Sequence, residues 1–281
     1  MTAGGRFGPA ILFCPGDRAD RFAKAAERAD AVVLDLEDAV APGAKRAARE
    51  AVAASRLDPA RTIVRVNDAR SGLLADDLAA VRRSPYRVVM LAKTESAADV
   101  DALGDLDVVA LCETARGVVN AAAIAASQRV VALMWGAEDL LASLGGTSSR
   151  DATGAYRDVA RHARSAVLLA AGAAGKDAID AVHLDIGDVA GCRAEAEDAA
   201  ASGFAAKAAI HPSHVAPIRA AFAPSPDEVR WARGVLAAAR DAAAEGRGVF
   251  RFDGRMVDEP VLSHARGILA RADGGATSAA P

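Results

Sequence analysis

The chain contains three cysteines, Cys14, Cys112 and Cys192, among 281 residues. An odd number without CxxC spacing excludes a complete disulfide framework and a cysteine redox motif, and their mostly apolar neighbours mark them as structural residues in a reducing compartment. Long hydrophobic runs are also missing. No stretch approaches the ~18 apolar residues that a membrane helix needs, and MTAGGRFGPA carries no long apolar segment after its arginine. A cytoplasmic protein without a membrane span is therefore expected. There is no excess of positive charge: 34 Lys and Arg stand against 37 Asp and Glu, a net charge of -3. Nucleic acid and anionic membranes are poor candidates for partners, and any anion must be held by locally placed bases. No GxGxxG follows the first apolar run and no Walker-type loop occurs, which argues against an open nucleotide-binding sheet.

What is present is an alternation. Runs rich in Val, Ile and Leu occur at about 10 to 14, 31 to 36, 62 to 66, 87 to 92, 107 to 112, 130 to 135, 179 to 186 and 207 to 210. Segments with helical spacing lie between them, such as ADRFAKAAERA and GCRAEAEDAAASG, long enough to be the crossovers of parallel strands. Eight such repeats predict an α/β protein with a (β/α)8 TIM barrel and extra C-terminal helices. The expected organisation is a catalytic barrel over residues 1–215, a helical extension with a hairpin over 216–272, and a disordered tail over 273–281. Ser225 and Pro226 announce a helix start, Asp253 and Gly254 mark the hairpin turn, and a last helix is expected from about Val261 to Ala272.

In a parallel barrel the C-terminal strand ends share one rim, so the polar residues there are the candidate site. Glu113 and Asp139 follow neighbouring strands, and two hard oxygen ligands of this kind suit Mg2+ with its water shell. Arg65 offers a planar fork for a carboxylate, and together an ion and an arginine describe a site for a 2-oxo or 2-hydroxy acid. Glu37 either orients Arg65 or a metal-bound water, or forms a plain salt bridge. Asp38 is expected to turn its side chain back onto loop amides. Arg18, Arg21, Lys24 and Lys45 follow the first two strands and suit either a phosphate-bearing ligand or solvent. His183 is expected inside the seventh strand as a core residue, and His211 as a packed rim residue or a catalyst.

The segments FCPGDRADRFAKA, AVVLDLEDAVAPGAKRAAR, VRVN, AKTESA, ETARGVVNA, WGAEDL, GGTSSRD, AIDAVHLDIGD, KAAIHPSHV, FAPSPDEVRWA and DGRMVDEP occur in this order over nearly the whole chain. In them the chain resembles the citrate lyase β-subunit-like proteins of the HpcH/HpaI aldolase superfamily, with their malyl-CoA and citramalyl-CoA lyase relatives. The resemblance implies a Mg2+-dependent carbon–carbon lyase that splits a β-hydroxyacyl-CoA into acetyl-CoA or propionyl-CoA and a 2-oxo acid, or runs the reverse condensation. It implies Mg2+ on Glu113 and Asp139, and the 2-oxo acid carboxylate on Arg65. Lys24, Lys45 and the Ala208–Ala209 backbone would lie along the CoA moiety, with Phe13 bordering it. Asp258 would be the catalytic acid, reaching into the site of an adjacent chain in a homotrimer. A malyl-CoA thioesterase and a citrate lyase subunit acting on an acyl carrier protein are the alternatives. His214, Thr94 and Asp20 depart from common family residues, which leaves the acyl group open.

Overall fold

The computed structural model describes residues 5–277, with side chains to residue 273. Eight strands, β1 (Ala10–Pro15), β2 (Ala31–Asp35), β3 (Thr62–Val66), β4 (Val88–Leu91), β5 (Asp107–Cys112), β6 (Val130–Trp135), β7 (Asp177–Asp180) and β8 (Ala206–Ala209), form a closed barrel in sequence order. All pairings are parallel, and β1 closes onto β8. The predicted (β/α)8 barrel is the observed one. Its helices are α1 (Ala19–Arg28), α2 (Lys45–Ala54), α3 (Leu74–Arg83), α4 (Ala97–Asp101), α5 (Ala115–Val119), α6 (Ala121–Ala125), α7 (Ala137–Leu144), α8 (Asp158–Ala173) and α9 (Val189–Ser202). None of the described helices is long and apolar enough to cross a membrane.

These strands read as near-continuous apolar runs because both faces are buried, one in the barrel and one under helices. Successive side chains alternate between those faces. Ile11, Val33, Ile63, Met90, Val109, Leu111, Met134, Ile179 and Ala208 fill the interior. One further step along the same face of β1, β2 and β3 reaches Phe13, Asp35 and Arg65, so the alternation that builds the core also aims the rim residues inward.

The seventh strand differs from expectation. Apolar residues suggested 179 to 186, whereas β7 ends at Asp180 and His183 lies in the loop beyond it. The carbonyl of Ala181 accepts from Lys207 Nζ at 2.7 Å, and Asp185 Oδ1 accepts from the Gly187 amide at 2.9 Å. Side-chain bonding thus replaces the ladder, and Leu184 and Ile186 stand half exposed instead of lining a strand.

The chain divides into two compact units, Gly5–Arg219 and a second that begins at Ala220, the division falling within α10 (Val215–Phe222). The second unit contains α11 (Pro226–Ala244), a hairpin of β9 (Phe250–Phe252) and β10 (Arg255–Val257), and α12 (Glu259–Thr277). Ser225 and Glu228 form the capping box that starts α11. Asp253 and Gly254 take φ of 45° and 78°, the left-handed pair that a two-residue hairpin turn demands. Gly234 lets α11 approach the hairpin, since a Cβ there would come within 2.9 Å of the Phe252 ring. α12 runs on to Thr277, past the start of the expected tail, and residues 278–281 of that tail lie outside the described residues.

Candidate active site

Register places the central arginine. Asp35 and Arg65 are directly paired residues of β2 and β3, both on the inward face at the rim. Arg65 Nε donates to Asp35 Oδ1 at 2.7 Å and one terminal nitrogen to Oδ2 at 2.6 Å, while the other lies 3.1 Å from Glu37 Oε2. The guanidinium sits 4.9 Å from the centre of the Phe13 ring. A guanidinium has five N–H donors, so the two that Asp35 takes fix the plane and leave others for a ligand. Burial opposes the Arg65 charge, but the Asp35 hydrogen bonds outweigh it and push the pKa above its ordinary value.

Glu113 immediately follows β5 and is buried. Asp139 is in the first turn of α7, whose N-cap is Gly136. A Cβ on Gly136 would lie 2.7 Å from Glu113 Oε2, so the absence of a side chain there leaves room for that carboxylate. Burial, together with the Asp139 charge, raises the Glu113 pKa to about 8, against the opposing pull of Arg65 and Lys93. The Asp139 charge disfavours ionisation of Glu113, and a divalent cation between the two would offset that repulsion. Their oxygens suit a hard ion that keeps part of its water shell. Among the described residues no group of three or more His, Cys, Asp or Glu is arranged to hold a metal, so such an ion would draw its remaining ligands from water and substrate.

Lys93 joins these groups. Its ammonium lies 2.5 Å from Glu37 Oε1, 3.2 Å from Asp38 Oδ2 and 3.2 Å from Asp139 Oδ1. Its amide donates to Glu113 Oε1 at 3.1 Å. Burial lowers the Glu37 charge stability enough to raise its pKa, despite Arg65 and Lys93. Asp38 does not turn onto the loop amides as expected. Asp35 does so, accepting from the amides of Glu37 and Ala39 at 2.8 and 3.1 Å, and this leaves Asp38 for Lys93.

Among the described residues, the other expected ones make no contact with these charged groups. Lys45 Nζ donates to the carbonyls of Leu36 and Glu37 at 2.7 and 2.8 Å and to Asn67 Oδ1 at 3.1 Å, tying down the loop after β2. Lys24 is exposed on α1, and Ala208 and Ala209 are buried on β8. Asp258 belongs to the second unit, between β10 and α12. His211 Nδ1 is paired within its own turn to Ser213.

A second buried network escaped the sequence reading. Asp180 Oδ1 accepts from Trp135 Nε1 at 2.7 Å and from Arg164 Nε at 2.9 Å, and Oδ2 accepts from Lys207 Nζ at 3.1 Å. Burial opposes the Asp180 charge, but Lys207 and Arg164 lower its pKa. The network anchors Trp135, the last residue of β6, just before Gly136 and the turn bearing Asp139. The missed signal was one of phase: Asp180 and Lys207 lie on adjacent strands as paired residues, and their side chains face the helices.

A family model described as HpcH/HpaI aldolase/citrate lyase matches residues 10–212. A citrate lyase subunit beta-like protein of Mycobacterium tuberculosis is 57% identical over 271 residues, covering 96% of this chain and 97% of that protein. The human mitochondrial citramalyl-CoA lyase is 32% identical, covering 94% of this chain and 85% of that protein. A crystal structure of CitE from M. tuberculosis in complex with magnesium, acetoacetate and coenzyme A superposes with a TM-score of 0.90 at 56% identity, covering 97% of this chain and 100% of that one. Matched by the family model across the barrel and by relatives along nearly its whole length, the chain belongs to the HpcH/HpaI aldolase/citrate lyase family.

Proposed function

We propose that this Mg2+-dependent lyase cleaves the carbon–carbon bond of a β-hydroxyacyl-CoA of the malyl-CoA or citramalyl-CoA class. The products are acetyl-CoA or propionyl-CoA and a 2-oxo acid, and the condensation is the reverse reaction. The observation that carries this reading is the buried Glu113, beside Asp139 and across the rim from an Arg65 fixed by Asp35. Magnesium, acetoacetate and coenzyme A in the similar M. tuberculosis structure support an ion, an oxo acid and a thioester carrier as the matching ligands.

Glu113 and Asp139 would hold Mg2+, which would supply Lewis acidity toward the oxo acid. Arg65 binds the acid's carboxylate through the N–H groups that Asp35 leaves free, and Glu37 keeps the guanidinium in plane with its 3.1 Å contact. Such preorganised positive charge favours a transition state in which charge moves onto oxygen. Lys24, Lys45 and the Ala208–Ala209 backbone lie along the CoA moiety, which Phe13 borders. Asp258, contributed by a neighbouring subunit of a homotrimer, donates a proton to the thioester enolate in cleavage and removes it in condensation.

Incubation with Mg2+ and a panel of malyl-, citramalyl- and β-methylmalyl-CoA stereoisomers, with products identified by mass, tests the reaction. An acyl-CoA and a 2-oxo acid are expected; free CoA with an intact hydroxy acid would show a thioesterase instead. Asp258→Asn is expected to bind the CoA ester as the parent does and to lose turnover. Near-normal turnover in that variant removes Asp258 from the mechanism.

A further inference from the structure

Among the described residues, Lys93 is the one charged residue that touches both Glu113 and Asp139, through its amide and its ammonium. It stands just beyond β4 with φ of 48°, a left-handed conformation uncommon for a residue with a side chain. That backbone is pinned from several sides. Arg70 donates to the Lys93 carbonyl at 2.7 Å, the Thr94 amide donates to Leu111 O at 3.0 Å, and Thr94 Oγ1 donates to Leu91 O at 2.7 Å. Strained conformations held by surrounding structure cluster at functional sites. In this one the Lys93 amide donates to Glu113 and the ammonium turns back to within 3.2 Å of Asp139 and 2.5 Å of Glu37.

We propose that the Lys93 ammonium competes with the divalent cation for Asp139, keeping cation affinity low until an oxo acid arrives, so that metal and acid bind in concert. This deepens the metal-site reading above and rests on it. The physical argument is one of charge. A cation that takes Asp139 must draw it away from an ammonium at contact distance and then remain close to that ammonium. Lys93 and Arg65 together repel a dication and attract an anion. The acid's carboxylate offsets that repulsion, so acid binding raises metal affinity, and by linkage metal binding raises acid affinity by the same factor. A lysine here therefore acts as a positioning residue that makes an empty site a weak metal site and an acid-filled site a strong one.

The test uses the full-length, metal-stripped protein and titrates it by calorimetry at pH 8.5 with Mg2+ alone and with Mg2+ in the presence of pyruvate. Lys93→Met and Lys93→Gly remove the charge, and glycine takes the left-handed backbone at no steric cost, which protects that variant from misfolding. Lys93→Arg keeps the charge. Relative to the parent, Met and Gly variants are expected to bind Mg2+ alone about tenfold more tightly and to lose most of the gain that pyruvate gives. The Arg variant is expected to stay within about threefold of the parent on both counts. Unchanged or weaker Mg2+ binding in the Met and Gly variants overturns the proposal, as does equal tightening in the Arg variant. Failure of the parent protein to bind Mg2+ with or without pyruvate overturns the metal site itself, a distinct result.

Discussion

Replacing Glu113 with Gln should stabilise the metal-free protein in proportion to pH. An ordinary glutamate titrates near 4.5, whereas burial and the Asp139 charge move Glu113 to about 8. Between these values the folded chain holds a proton that the unfolded chain has lost, so stability falls as pH rises, and it levels off once both states are ionised above about 8. At about 1.4 kcal/mol per pH unit, the gap sets a ceiling of about 5 kcal/mol on what this carboxylate withdraws from the fold. Glutamine has the same shape and no charge, so Glu113→Gln removes the slope. Urea unfolding at pH 5, 6.5 and 8.5 in the presence of a chelator measures it. The variant should match the parent at pH 5 and exceed it increasingly above that, by several kcal/mol at pH 8.5. Saturating Mg2+ should restore the parent's stability at pH 8.5 and leave the variant nearly unmoved, since the ion binds the ionised carboxylate. Parallel pH slopes for the two chelated proteins would refute the reasoning.

Three further outcomes follow from the same geometry. Arg65→Lys forfeits the two-pronged grip of Asp35 and the planar fork offered to the acid, and kcat/KM should fall about a hundredfold, equivalent to about 3 kcal/mol; steady-state kinetics check this. Gly136→Ala places a methyl 2.7 Å from Glu113 Oε2, so calorimetry should show Mg2+ affinity at least tenfold lower while the melting temperature changes little. Lys207→Met leaves Asp180 buried with Trp135 and Arg164 as its remaining partners, and breaking such a pair should cost about 3 kcal/mol in chemical unfolding.

Much of this protein is legible in its residues because the barrel repeats one physical unit. A buried parallel strand must be apolar on both faces, so seven of the eight runs fall within a residue or two of their strands. The seventh misled because apolar content alone does not distinguish a strand from a loop with half-exposed aliphatic residues: AIDAVHLDI keeps alternating after Asp180, where Lys207 and Asp185 have already taken over the backbone bonding. Glu113 and Arg65 were legible as polar interruptions at apolar strand ends. Asp35 was overlooked beside the more conspicuous Glu37 and Asp38. Lys93 shows no role along the chain, because nothing local says that its side chain folds back across the rim.

The sequence by itself determined the class of fold, the family and the chemical kinds of residue at the rim, since strand periodicity and residue type are local properties. Tertiary structure alone decided the partnerships. The register of β2 against β3 gives Arg65 to Asp35, the loops that follow β2 and β4 on either side of β3 bring Glu37 and Lys93 together, and the paired β7 and β8 bury Asp180 with Lys207. Charge energetics depend on burial and on distance, and both arise only when separated segments pack. For that reason the raised pKa of Glu113, and the competition for Asp139 that follows from Lys93, could not be read along the chain.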